Sequence, residues 1–301
     1  MTGESDIRAM FRLLAGAAMI SFAPVFVRLV DVPPTSSAFY RTLIGGLMLA
    51  VYVRLSRENL WGGRRVLWPL LVAGAFFALD LWAWHKSIWF VGPGLATLLA
   101  NFQVFFMALA GVFLLREPAR PVLWIAIPLA LTGLSLIVGV DWDALGPDYR
   151  LGLAYGLLTA FAYAGYLLSL RRARLAGSRA SVAGDLTVAS FVSAACLWVV
   201  AWLEDVSLAV PSIADWTLLS AYALVAQVLG WILITGALSR VRASTVGLLL
   251  LLQPTLAFVW DVLLFGRAFG LTETMGALLS LAAIYLGSRP GGRSPAPGKP
   301  A

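Results

Sequence analysis

The sequence predicts an all-α integral membrane protein of ten transmembrane helices, arranged as two inverted five-helix repeats with both termini in the cytoplasm. Three observations predict it. Of 301 residues, 60% are hydrophobic and only 12% are charged, whereas a soluble domain carries about a quarter charged residues. Apolar stretches of about 20 residues, the length that crosses a ~30 Å hydrocarbon core, follow one another with short loops between them. Lys and Arg alternate between dense and sparse loops in step with those stretches.

In chain order the predicted spans are 11–29, 35–54, 66–90, 94–115, 121–140, 151–170, 184–203, 216–238, 243–265 and 272–287. The first contains Pro24, ends at Arg28 and lacks a small-x-small cleavage site, so it is expected to stay as a helix rather than leave as a signal peptide. Gly92-Pro93-Gly94 reads as a tight outer turn between the third and fourth. Pro24, Pro128 and Pro254 fall inside spans, where each frees a backbone carbonyl and permits a kink. The Pro/Gly-rich tail after the last span is expected to be disordered. The chain thus divides into a cytoplasmic N-terminus (1–10), a first repeat (11–140), a second repeat (151–287) and a cytoplasmic tail (288–301).

Orientation follows from the basic residues. With the N-terminus inside, 17 Lys/Arg fall in cytoplasmic segments and 3 (Arg28, Arg150 and Arg267) in outer loops, while Arg41 and Lys86 lie within spans. Asp141, Asp143, Asp148, Glu204, Asp205 and Asp215 fall outside. The net charge of +7 is therefore a topology signal rather than a nucleic-acid footprint.

The halves resemble each other. A shift of 150 lays Val91–Leu99 on Val241–Leu249 and Gln103 on Gln253, and a shift near 141 lays Phe22 on Tyr163. Five spans is an odd number, so the second half starts on the opposite side of the membrane. Inverted repeats of this kind are the architecture many secondary carriers use for alternating access.

Ionisable groups inside spans are costly, by ~2.5–3.5 kcal/mol on insertion scales, and mark function by default. Here they are Arg41, Asp80, His85, Lys86 and Asp261, all placed between the midplane and the outer face. They fit the lining of an outer vestibule and central cavity, or a buried network pairing Arg41 with Asp80 or Asp261. Asp80, Trp84 and Ser87 share one helical face and His85 borders it. A cavity at that border would meet Asp80, Trp84 and His85 together. His85 is the single histidine, and its unperturbed pKa of ~6.5 suits a proton site or a cargo hydrogen bond. Lys86 and Trp89 read as interfacial anchors. Asn101, Gln103, Gln227 and Gln253 are amides deep in spans, each needing a partner or a wet cavity. Tyr163 and Tyr166 would complete the wall.

Several chemistries are unsupported. There is no Gly-rich phosphate loop for ATP, no metal-ligand spacing and no catalytic residue set, and no cofactor is expected. Cys196, the one cysteine, reads as a packed side chain.

Three motifs carry a resemblance to a known family. They are Pro34-Thr35-Ser36-Ser37-Ala38-Phe39-Tyr40-Arg41 entering the second span, Lys86–Ala96 at the third–fourth junction, and Arg116-Glu117-Pro118 closing the fourth. Together they resemble the ten-helix EamA-type branch of the drug/metabolite transporter superfamily, over about Phe11 to Gly287. Arg267 stands where the second repeat would hold the counterpart of Glu117, a departure from symmetry. The stretch Trp82–Ser87 is similar to an aromatic amino-acid exporter (YddG-like) group. The resemblance implies an exporter of a small metabolite, an amino acid first, across the bacterial inner membrane, with lipid as surroundings and protons as a candidate coupling ion. A monomer is expected, with a dimer left open. An intramembrane enzyme using Asp80 and His85 as acid and base is the rival from another class.

Overall fold

The computed structural model describes residues 2–117, 121–138, 147–266 and 270–288. The expectations for Pro118, Arg120, Asp141, Asp143, Arg267 and the tail beyond Ser288 lie outside these residues, as do the side chains of Trp89 and Asp261. Among the described residues every regular element is helical.

The elements are α1 (Thr2–Ile20), α2 (Ala23–Leu29), α3 (Pro34–Leu55), α4 (Arg64–Ala100), α5 (Gln103–Leu109), a π-helix (Ala110–Leu114), α6 (Pro121–Val138), α7 (Pro147–Leu175), α8 (Val182–Leu203), α9 (Ile213–Tyr222), a second π-helix (Ala223–Gly230), α10 (Trp231–Leu238), α11 (Ala243–Leu249), α12 (Leu252–Phe265) and α13 (Leu271–Ser288). Among the described residues, seven stretches are long and apolar enough to cross a membrane: Asp6–Leu29, Pro34–Leu55, Arg64–Ser87, Asp148–Leu175, Val182–Leu203, Ile213–Leu238 and Ala243–Phe265. Gln103–Leu114, Pro121–Gly133 and Leu271–Ala283 are apolar but shorter. The molecule is a multi-pass membrane protein. Helix α1 starts at Thr2, ahead of the span predicted from Phe11.

The expected turn at Gly92-Pro93-Gly94 is replaced by helical backbone that continues to Ala100. The chain nevertheless doubles back there. Ser87 Oγ donates to the Gly152 carbonyl on α7, and the Leu99 side chain lies against Gly156, one turn further along α7. On a straight helix Leu99 would stand about 18 Å beyond Ser87, so α4 must bend sharply between them. Pro93, which has no N–H for the helix ladder, lies between them in the sequence.

Three further helices break without leaving the helical path. Pro24 has no N–H for the Ile20 carbonyl, and the chain steps across with three-residue bonds, Phe22 N–H to Met19 O and Val25 N–H to Phe22 O. Ser21 Oγ donates to Ala18 O at 2.6 Å. Pro254 does the same to Leu250, whose carbonyl accepts Gln253 N–H instead. At Asn101–Phe102 the same tightening occurs, with Phe102 N–H on Leu99 O and Val104 N–H on Asn101 O. Pro128, in contrast, stays inside α6.

The main packing relations are α4 on α7, α6 on α13 and α3 on α8. Each joins one element from before residue 139 to one from after 146, so the two halves interlock. Close crossings use glycine. A Cβ on Gly247 of α11 would stand 2.8 Å from Met107 Cβ, and Gln103 Nε2 donates to the Gly247 carbonyl at 3.1 Å in that same crossing.

Candidate functional site

A cavity of about 120 Å³ lies where the three broken helices meet. Its wall takes Ile20, Ser21, Ala23 and Pro24 from the first break, Ala100 and Asn101 from the second, and Gln253, Pro254 and Ala257 from the third. Irregular backbone at membrane depth is tolerated where it lines such a space. Arg41 of α3, Phe77, Asp80, Leu81 and Trp84 of α4, Thr159 and Tyr163 of α7, and Trp231 of α10 complete it.

Asp80 is 9% exposed and makes no hydrogen bond or ion pair with any described residue. Its carboxylate lines the cavity with no ligand among the described residues. Arg41 is 4% exposed and is held by neutral groups. Its Nε donates to Gln227 Oε1 at 3.2 Å and its Nη1 to the Tyr222 hydroxyl at 2.9 Å. The guanidinium lies 5.3 Å from the Phe77 ring centre and 4.9 Å from that of Tyr222. No ion pair within 4 Å joins Arg41 to Asp80 among the described residues, yet the two charges are close enough to act on each other: a fixed cation and a carboxylate share one chamber. The opposite wall is aromatic. Tyr163 Oη accepts from Gln253 Nε2 at 3.0 Å, and the Tyr163 ring meets Trp231 edge-on at 6.1 Å.

Of the residues singled out from sequence, Arg41, Asp80, Trp84, Asn101, Tyr163 and Gln253 line this cavity. His85, Gln103, Tyr166 and Gln227 do not. His85 Nδ1–H donates to the Leu81 carbonyl at 2.6 Å, which turns the ring into the protein, and Nε2 is buried with no partner among the described residues. The cavity sees the stripe Phe77–Asp80–Leu81–Trp84, and His85 falls just past its edge. Gln103 is a helix–helix tie, although a sequence shift of 150 lays it on Gln253. Tyr166 stacks on Phe77 at 4.4 Å and meets Trp231 edge-on at 4.6 Å, behind the wall. Gln227 is fully buried behind Arg41. Lys86, expected as an interfacial anchor, reaches Glu204 Oε1 at 2.7 Å.

Trp231, Phe77 and Tyr222 have no local sequence signal, since each is an aromatic within an apolar run. Pro24 and Pro254 did signal the breaks. At the Ser21 break, Trp260 Nε1–H donates to Ser21 Oγ at 2.8 Å and its ring stacks on Phe22 at 4.4 Å.

A helical membrane protein enclosing a small polar and aromatic chamber at the breaks of three helices has the form of a solute carrier. The chain belongs to the EamA-like transporter family, whose model matches residues 7–139 and again 150–289. It is 25% identical over 275 residues to an uncharacterized transporter of Vibrio cholerae, covering 85% of this chain and 83% of that one. It is 26% identical over 258 residues to the pseudopaline exporter CntI of Pseudomonas aeruginosa, covering 84% and 86%. A solved crystal structure shares the fold, with a TM-score of 0.76 at 19% identity over 94% of this chain and 96% of that chain. The protein is therefore a transporter with a small-molecule substrate rather than an enzyme.

Proposed function

We propose that the chain exports small zwitterionic metabolites, amino acids first, from a bacterial cell by alternating access to this cavity. The observation that carries the reading is the pairing, in one chamber, of an unligated carboxylate on α4 with a guanidinium fixed on α3. Asp80 would take a cargo ammonium, Arg41 a carboxylate, and Trp84, Tyr163 and Trp231 the side chain, by stacking or cation–π contact. The outward direction is supported by a relative that is named an exporter.

Ten crossings in two inverted repeats, with N- and C-termini in the cytoplasm of the inner membrane, form the frame of this proposal. The double match of the family model, the doubling back of α4 and the 17-to-3 split of basic residues all support it. An unligated carboxylate in hydrocarbon must be neutralised when cargo is absent, and Asp80 is accordingly the proposed proton site. A single chain holds every residue of the site, so the carrier is proposed to work as a monomer.

Counterflow of radiolabelled amino acids in sealed proteoliposomes tests the reading. Saturable exchange is expected, weakened by Trp84→Ala. Aromatic amino acids are the first cargoes to try, given the Trp82–Ser87 stretch. Absence of exchange for every amino acid tried would remove the cargo assignment.

A further inference from the structure

Gln227 looks from sequence like a wall residue, and the structure gives it a different place. It is 0% exposed and stands behind Arg41. Its Oε1 accepts from Arg41 Nε at 3.2 Å, and its Nε2 donates to Ser190 Oγ of α8 at 3.0 Å. Arginine can only donate, so the two partners fix which way the amide points. Tyr222 holds the next nitrogen of the same guanidinium, Nη1. Nη2 makes no bond to a described residue.

The π-helix makes this double grip possible. Tyr222 and Gln227 are five residues apart. In an α-helix that spacing turns two side chains about 140° from each other. In a π-helix, where bonds close five residues apart, it sets them side by side. Tyr222 is the residue at which the π-helix Ala223–Gly230 starts, and Gln227 lies within it. The facing helix is shaped to match. Gly45 follows Arg41 by one turn of α3, and a Cβ there would stand 2.4 Å from Gln227 Cγ and 2.7 Å from its Cβ.

The chemistry of the grip matters as much as its geometry. A carboxylate partner would neutralise Arg41. An amide and a phenol hold it without consuming its charge, and Asp80 makes no ion pair with it. The guanidinium is thus fixed at two nitrogens and against two rings, with no carboxylate bound to it among the described residues.

We infer that Gln227 and Tyr222 are positioning residues that aim Arg41 Nη2 at the cargo's carboxylate, and so set selectivity for acids over their uncharged analogues. The inference rests on the zwitterion reading given above and adds to it the residues that enforce that preference.

The test compares L-leucine with L-leucinamide, which differ only at the carboxyl group, by equilibrium binding to the purified full chain. It is run at about pH 6, where both amines are protonated. The wild type should prefer the acid by about tenfold or more, the scale of a hydrogen bond to a charged group. Gln227→Leu and Tyr222→Phe should bring that ratio towards one by weakening the acid alone. Gln227→Glu should do the same by neutralising Arg41. Tyr222→Phe removes one oxygen only, and its thermal unfolding checks that the fold survives.

Equal weakening of acid and amide would mean that the two residues only support the fold, and would overturn the inference. So would an unchanged ratio in all three variants. A wild type that binds both probes equally would overturn the assignment of Arg41 and leave an ammonium-selective carrier standing. A wild type that binds neither would overturn the inference for this pair, and the amino-acid reading falls with it only when the counterflow assay finds no amino acid exchanged.

Discussion

The Glu117 carboxylate stands 3.1 Å from the Arg171 guanidinium, and both side chains serve a third element. Glu117 Oε1 also accepts the Ala243 N–H at 2.8 Å, and Arg171 Nη1 donates to the Val241 carbonyl at 2.6 Å. The chain following the π-helix Ala110–Leu114, the last turns of α7 and the α10–α11 turn are thereby tied at one end of the molecule. Arg267, which stands in the sequence where the second repeat would hold the counterpart of Glu117, lies outside the described residues.

This tie joins the halves, so its loss should be felt globally. Both side chains are largely buried, and removing one partner strands the other. Glu117→Ala or Arg171→Ala should each cost about 3 kcal/mol. The double variant should cost clearly less than the two added together. Thermal unfolding in detergent of the four proteins measures the cycle, and strict additivity would show that the pair does not act as a unit.

Asp80 should behave in the opposite way. A buried carboxylate with no ligand among the described residues is a cost to the fold, kept for what it binds. Asp80→Asn should unfold at the wild-type temperature or above it, yet lose exchange of any cargo bearing an ammonium. Loss of both stability and exchange would make Asp80 a structural residue.

Gly45→Ala should lower stability by about 1–3 kcal/mol, the usual cost of overpacking a tight contact. The added methyl group collides with Gln227. Gly45→Ala combined with Gln227→Ala should recover only part of the loss, because the alanine Cβ still stands 2.7 Å from the added methyl group and Arg41 Nε loses its acceptor. Chemical or thermal unfolding of both variants checks this.

His85 should prove dispensable for cargo. Its ring is tied to Leu81 O and does not line the cavity. His85→Ala should keep the KM for cargo within about twofold and lose roughly 1 kcal/mol of stability with the hydrogen bond. A tenfold rise in KM would return His85 to the pathway.

Much of the site was legible because charge inside an apolar run is conspicuous. Asp80 and Arg41 announce themselves, and Pro24 and Pro254 mark two of the three helix breaks. The break at Asn101–Phe102 carries no Pro or Gly to mark it. Helical periodicity put His85 beside Asp80 and Trp84, but one carbonyl bond turns it away. The π-register was not legible either. Without it, Gln227 and Tyr222 fall on different faces, and neither can be assigned to Arg41. Partnerships across long separations, such as Lys86 with Glu204, have no signature in a single sequence.

The central claim is that one cavity opens in turn to each side of the membrane. Ala257, which lines it, can be made Cys in a Cys196→Ala background and challenged in sealed vesicles with a membrane-impermeant maleimide. The reagent should label Ala257→Cys from either side, and a bound amino acid should slow labelling from both. Labelling from one side only, at every cargo concentration, would contradict the account.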